Sequence, residues 1–264
     1  MTFPIKLIML KKVKDILLLL LPGLTLILVW QSYIIINPKN EFYLGSPDGI
    51  AKEFLLSLLK GNLIRDFGIT MLETVLGFLM GVTFGTIFGL SLWLSKVVYK
   101  MTKPYLIILG ALPVFALGPI IIFWFGTGIM SKVVIGFLST FVIALTQAYN
   151  GASQTNSNLI VLVQSFGGTK IDVFKKIVVP SSVAWVLAGV RININMALLA
   201  AFVGEFISSN AGLGYHIIVA EGLFNVNQIW VGIIGLVIIA LLFNYLTFPL
   251  ERIAKNRSQF IINT

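Results

Sequence analysis

Six stretches of this chain are apolar over about 20 residues each, the length at which a helix crosses the roughly 30 Å hydrocarbon core of a bilayer. They fall at 16–36, 70–94, 106–125, 132–149, 183–206 and 229–250, with charged residues gathered between them. The fold expected is therefore an all-α, polytopic membrane protein with about six transmembrane helices. Composition agrees: 58% of the 264 residues are hydrophobic and 11% charged. A soluble α/β enzyme, a nucleic-acid-binding domain and a disordered tail all need more polar surface than that.

Loop charge tests the six-span reading, because Lys and Arg concentrate on the cytoplasmic side of a membrane protein. Lys6, Lys11, Lys12 and Lys14 precede the first span, Lys96, Lys100 and Lys103 follow the second, Lys170, Lys175 and Lys176 follow the fourth, and Arg252, Lys255 and Arg257 follow the sixth. The opposite side holds Lys39, Lys52, Lys60, Arg65 and Lys132, with Glu41, Asp48, Glu53 and Asp66 offsetting them. Both termini are thus expected in the cytoplasm, and the pI of about 9.8 reflects this bias rather than a nucleic-acid partner. No small-x-small cleavage site follows the first span, so it reads as a retained anchor.

Within the first outer loop, Ser46-Pro47-Asp48 offers a helix cap, a proline at the first helical position and an early acid. A short helix should follow, carrying Ile50, Phe54, Leu55, Leu58 and Leu59 as one apolar stripe and ending at Gly61-Asn62. Packing on the membrane or bundle and docking of an external partner are both open to it. Gly77, Gly81, Gly85 and Gly89 recur every four residues in the second span, which brings them to one face and lets another backbone approach; a lining for a pore is the alternative. Pro113, Gly118 and Pro119 should kink or break the third span.

Arg191 lies inside an apolar span, where insertion of a central arginine costs about 2.5–3.5 kcal/mol. Asn193 and Asn195 follow, and Glu205, fourteen residues beyond Arg191, falls about 40° from its face. A polar face along this helix serves either a wet cavity and gate or a buried network that holds helices together. Beyond it, Gly212 and Gly214 permit a tight turn before His216, read as a solvated or hydrogen-bonded loop histidine. With that single histidine and no cysteine, thiolate metal sites, disulfides and the usual catalytic triads are not supplied, and no metal site is assigned.

The loop at 156–182 is too polar to span and too apolar to be a linker. It should form a short helix with Leu159, Leu162, Val163 and Phe166, a break at Gly167-Gly168, then a second helix with Val173, Phe174 and Ile177 that stops or bends at Pro180. Such a knob invites a soluble partner. Gly167-Gly168-Thr169-Lys170 lacks the spacing and hydroxyl of a phosphate-binding loop, so an ATP-driven process would need a separate ATPase.

This loop resembles the cytoplasmic coupling motif of permease subunits in binding-protein-dependent ABC importers: Glu-Ala-Ala, three residues, Gly, nine residues, Ile, one residue, Leu-Pro. Gly167, Ile177 and Pro180 keep that spacing, while Val179 replaces the leucine, Val161-Leu162-Val163 replaces Glu-Ala-Ala and Gln164 stands where a basic residue often sits. Over about residues 42–252 the chain is most similar to the nitrate, sulfonate and taurine type. It carries in order Ser46-Pro47, Leu112-Pro113, Phe123-Trp124-Phe125-Gly126-Thr127-Gly128, Gly189-Val190-Arg191-Ile192, Gly204-Glu205 and Gly212-Leu213-Gly214-Tyr215.

The resemblance implies one integral permease domain over 1–264, with an anchor at 16–36, a core at about 65–252 and a coupling segment at 156–182, set in a prokaryotic plasma membrane. It implies two P-loop ATPase subunits that carry ATP and Mg, a second permease copy or paralogue, an extracytoplasmic solute-binding protein, surrounding membrane lipid and no nucleic acid. No cofactor is expected on this chain. Ser165, Phe166, Gly167, Lys170, Asp172, Ile177 and Pro180 would couple to the ATPase. Pro113, Arg191, Asn195, Glu205, Gly212 and Gly214 would line or gate the pathway of a nitrate-, sulfonate- or taurine-like anion or a related small molecule, the family including importers of bicarbonate and of heteroaromatic vitamin precursors. The competing class is an ATPase-independent secondary transporter or channel, for which Glu73 and Glu205 are the intramembrane acids available, although no internal repeat is evident. A membrane-embedded enzyme would need a cluster of catalytic side chains that the sequence lacks.

Overall fold

A computed structural model describes residues 3–59 and 61–262, and the side chains of 18, 20–59 and 61–250. The side chains of Lys6, Lys11, Lys12, Lys14, Lys60, Arg252, Lys255 and Arg257, used above for orientation, lie outside these described residues. In chain order the α-helices are α1 (Phe3–Ile36), α2 (Glu41–Leu44), α3 (Pro47–Leu59), α4 (Leu63–Leu92), α5 (Lys96–Ala111), α6 (Gly118–Phe125), α7 (Ile129–Ser153), α8 (Ser157–Ser165), α9 (Lys170–Val173), α10 (Val179–Ile207), α11 (Leu213–Gly222) and α12 (Val226–Ile262), with no strand among the described residues. Four straight segments are long and apolar enough to cross a membrane: Leu63–Leu92, Ile129–Ser153, Lys170–Ile207 and Val226–Leu250. Two bent pairs, Leu20–Ile36 with Pro38–Leu44 and Lys96–Ala111 with Val114–Phe125, complete the six positions expected from hydropathy.

The chain forms two compact units, one of residues 1–62 and 219–231, the other of 63–218 and 232–264. In the second, α4, α7 and α10 pack together. The glycine repeat makes the α4–α7 seam. A Cβ placed on Gly81 or Gly89 would collide with Thr140 Oγ1 or the Leu145 carbonyl, and one on Gly85 would sit 2.5 Å from the Phe141 carbonyl oxygen. Backbone-to-backbone proximity of this kind replaces large apolar side chains as the source of packing energy between membrane helices. The opposite face of α4 leaves Leu72, Leu79 and Ile87 exposed.

Proline breaks the third span as expected. α5 ends at Ala111, a 3₁₀ turn occupies Val114–Leu117, and α6 leaves at a 79° bend. Val114, Phe115 and Leu117 pack with Ile121, Ile135 and Ala200, so the broken segment lies against α7 and α10.

At Pro180, where the sequence predicts a stop or a bend, the helix does not stop. α9 passes through a π turn at Phe174–Val178 straight into α10, one run from Lys170 to Ile207. Pro180 sits in the first turn of α10. There its missing N–H and its ring, which would otherwise meet the carbonyl of the preceding turn, are accommodated by the wider π turn. Helix α11 also goes beyond the sequence reading, which placed only a glycine turn before His216.

In the first unit, α3 begins as expected: Gly49 N donates to Ser46 Oγ at 3.1 Å. Its apolar stripe is only half used, since Ile50 is buried and Phe54 half-buried while Leu55, Leu58 and Leu59 are exposed.

Candidate functional site

Two candidate sites lie at opposite ends of the Lys170–Ile207 run. At the 205 end, Asp66, Thr70, Glu73 and Thr74 share one face of α4 and are all buried, as are Lys132 on α7 and Glu205 on α10. This face of α4 continues into the glycine seam, so the helix is polar over one part of a single stripe and bare backbone over the next.

Glu205 is held from two directions. Thr70 Oγ1 donates to its Oε1 at 2.7 Å, and Gly214 N donates to its Oε2 at 2.7 Å. The turn between α10 and α11 closes over α4: Leu213 N donates to Thr70 Oγ1 at 2.9 Å and Gly212 N to Asp66 Oδ1 at 3.0 Å. Gly212 has φ +106° and a Cβ there would collide with the Glu205 carboxyl, so both its conformation and its lack of a side chain are required. The Glu73 carboxyl lies within hydrogen-bonding reach of that of Glu205, and its Oε2 is buried without a hydrogen-bond partner among the described residues.

Lys132 supplies the local positive charge. Its ammonium donates to the Ser208 carbonyl at 2.7 Å, to that of Gly128 at 3.2 Å and to that of Thr127. It therefore ties the loop before α7 to the Ser208 carbonyl just past the end of α10, where carbonyls have no intrahelical partners. It is fully buried, so its place beside the outer loops in the sequence does not make it a loop cation. His216 is also no loop residue. It lies in α11 with Nδ1 3.7 Å from Asp66 Oδ2, and its side chain is 9% exposed.

The single polar face expected through Arg191, Asn195 and Glu205 is divided. Arg191 and Asn195 are exposed, whereas Glu205 and Asn193 are buried. The edge of the face that α10 packs against its neighbours passes between Arg191 and Glu205, within the 40° that separates them. Arg191 Nε donates to Asn244 Oδ1 of α12 at 2.6 Å, and Asn193 Nδ2 donates to Gln147 Oε1 of α7 at 3.0 Å. Of the other gate candidates, Gly212 and Gly214 join Glu205. Pro113 is exposed and does not, although Gly118 beyond it lies against Ile207.

At the 170 end, Asn156 Oδ1 accepts from Asn158 N to open α8, and Gly167 ends it with φ +79°. Thr169 and Asp172 then form a reciprocal capping box for α9. Val173 and Val178 are buried with Ala152, and Ile160 and Val163 pack against them. Lys170 donates to the Leu94 carbonyl at 2.7 Å with its ammonium 6.0 Å above the Trp93 ring. These contacts fix the segment while leaving Leu159, Val161, Leu162, Phe166 and Ile171 exposed, Phe166 by 84%. Ile177 is half-buried, and Ser165 and Pro180 are exposed.

No group of His, Cys, Asp and Glu able to hold a metal ion occurs among the described residues. The first site is a latch of hydrogen bonds joining three helices and a turn. The second is a braced apolar knob.

The sequence reading missed Asp66, Thr70 and Thr74 at the first site and took Glu73 only as an acid for secondary transport. The signal was available, because 66, 70, 73 and 74 precede the four glycines on the same helical stripe.

Residues 81–258 match the family described as the inner membrane component of binding-protein-dependent transport systems. A probable ABC transporter permease protein of Haemophilus influenzae is 29% identical over 216 residues, 82% of this chain and 87% of the relative. A putative aliphatic sulfonates transport permease protein of Bacillus subtilis, SsuC, is 27% identical over 234 residues, 89% of this chain and 84% of the relative. Among solved structures, a chain of the inward-facing MetNI methionine ABC transporter superposes with TM-score 0.65 at 16% identity, over 75% of this chain and 97% of that one.

Proposed function

From the premise that this chain belongs to the family of inner membrane components of binding-protein-dependent transport systems, and so is the permease subunit of an ABC importer, we propose a division of labour between its two sites. The 170 end receives a P-loop ATPase, which carries ATP and Mg. The 205 end gates the solute pathway on the opposite face of the membrane. The observation that carries this reading is the continuous Lys170–Ile207 helix, which joins an exposed apolar knob to a buried polar latch without a break. Moving one end of such a helix moves the other, and transport subunits work by shifting between a small number of packed arrangements.

In this scheme Phe166, Leu162 and Ile171 fill an apolar groove on the ATPase, with Ser165, Gly167, Lys170, Asp172, Ile177 and Pro180 holding the knob in shape. Gly212, Gly214, Glu205 and the Pro113 bend form the gate, and Arg191 with Asn195 contributes polar lining to the pathway. The remaining assembly is a second permease subunit and a solute-binding protein. Both termini lie in the cytoplasm, as the loop charges favour. The full chain acts as one permease domain. A nitrate-, sulfonate- or taurine-like anion or a related small molecule is the solute, with the sulfonate permease relative supporting the anion.

Reconstitution with its ATPase and binding protein in vesicles, followed by uptake of a radiolabelled alkanesulfonate, tests this reading. Uptake should require ATP inside the compartment that holds the ATPase. Uptake driven by an imposed ion gradient without ATP would instead make the chain a secondary transporter.

A further inference from the structure

The unit of residues 1–62 and 219–231 contains the one non-glycine residue with positive φ among the described residues, Phe224 at +53°. Its backbone is locked at the end of α11, where Phe224 N donates to the Glu221 carbonyl and Asn225 N to the Ala220 carbonyl, both at 2.9 Å. An aromatic residue is unfavourable in this conformation, and such outliers persist only where surrounding contacts dictate them. Here the result is to hold the Phe224 ring outward, 72% exposed, stacked on Phe42 at 6.3 Å. Phe42 in turn meets Tyr43 edge-on at 5.1 Å, and Tyr43 is 74% exposed.

The contacts behind these rings are polar and specific. Trp230 Nε1 donates to the Leu44 carbonyl at 3.0 Å, Ser46 N to Asn227 Oδ1 at 2.8 Å, and Asn225 Nδ2 to Glu53 Oε1 at 3.2 Å. The rings thus stand on a braced platform rather than a loose loop. Above them, α1 exposes Leu24, Leu26, Leu28, Val29, Ile35 and further apolar side chains, as a helix immersed in lipid does. After Ile36 the chain turns through 114° into Pro38–Leu44. If α1 follows the membrane normal, the segment bearing Phe42 and Tyr43 lies just past perpendicular, along the surface and angled back toward the hydrocarbon. Lys39 flanks it, and the Gln31 and Ser46 side chains, by hydrogen bonding to the Asp48 carboxyl, hold it below the ordinary carboxylate range. Aromatic rings with flanking charge at the end of a span are the pattern of a membrane interface.

We propose that Phe42, Tyr43 and Phe224 form an aromatic foot seated at the headgroup–acyl boundary of the leaflet where α1 ends. Its occupant is phospholipid. The foot fixes the depth of its unit independently of what the coupling and gating sites do.

The chain has no cysteine, so single-cysteine nitroxide labels report one position each. Tyr43→Cys and Leu223→Cys are the probes, both at exposed positions; Tyr43→Cys gives up the edge-on contact with Phe42, and Leu223→Cys leaves all three rings in place. Leu28→Cys serves as the acyl reference and Lys175→Cys as the aqueous one. The full chain is reconstituted in vesicles of phosphatidylethanolamine with a minority of phosphatidylglycerol, and collision with oxygen and with a water-soluble nickel chelate is compared by power saturation. The oxygen-to-nickel ratio at 43 and 223 should be severalfold above that at 175 and below that at 28. A nickel-dominated signal at both positions would make the rings a solvated surface and overturn the proposal. Suppressed collision with both reagents would mean that protein covers them, either a binding protein or a second copy, and would equally overturn it.

Discussion

The two ends of the Lys170–Ile207 helix solve opposite problems. At one end, Phe166, Leu162 and Ile171 expose apolar surface while polar groups act internally as caps and braces. At the other, Glu205, Glu73, Lys132 and Asp66 bury charge-bearing groups and meet most of their hydrogen-bonding needs from neighbouring helices and the Gly212–Gly214 turn. An exposed apolar knob is completed by another molecule. A buried polar latch is completed within the chain, and its worth lies in being made or broken as a unit. On the proposed reading, binding falls to one end and conformational control to the other.

Substitutions at the two ends should therefore separate. Glu205→Ala strips the acceptor from Gly214 N, while Thr70 Oγ1 keeps the Asp66 carbonyl at 3.1 Å; with about 1–3 kcal/mol for a buried group left unpaired, a loss of about 2 kcal/mol is expected. Thermal unfolding in mild detergent checks it, and an unchanged midpoint would remove the latch from the account. Gly85→Val tests the seam that joins α4 to α7, and overpacking there should cost about 2 kcal/mol, read by the same assay. Phe166→Ser should do the reverse of Glu205→Ala: stability within about 0.5 kcal/mol of the parent, but ATPase affinity lower by about tenfold, the effect of losing one anchor residue. Surface-immobilised binding measurements resolve that factor. The smallest effect belongs to Gly167→Asp, where the left-handed backbone costs about 1 kcal/mol and weakens coupling by misaiming Phe166 while insertion stays normal. Pro180→Ala should likewise reduce solute-dependent ATP turnover without loss of the inserted protein.

What the sequence displayed follows from which interactions are periodic. The six spans, the four-residue glycine spacing and the break at Pro113 each leave a local mark, and each appears in the structure where it was expected. The latch leaves little, because it is assembled from 66, 70, 132, 205 and 212, brought together only by packing. Arg191 drew attention as the expensive residue of its span, yet the boundary between buried and exposed faces of α10 puts it outside the latch and Asn193 within the buried face. Of the stop or bend that proline imposes on a regular helix, the stop is avoided at Pro180 because a π turn immediately before it lets this helix continue. The capping box at Thr169 and Asp172 was readable as a spacing and accounts for how α9 starts so soon after Gly167-Gly168. Nothing local foretells the left-handed Phe224, whose conformation is dictated by the end of α11 and the platform around it.

The most direct test of the whole account is to tag the C-terminus, solubilise native membranes in mild detergent and quantify by mass spectrometry what travels with the chain, for the parent and for Phe166→Ser. The account requires a P-loop ATPase in near-stoichiometric amount with the parent and its loss from the variant, with both chains equally folded. Absence of any such ATPase from the intact parent, or its undiminished presence with the variant, would contradict the assignment of the Lys170 end as the coupling site.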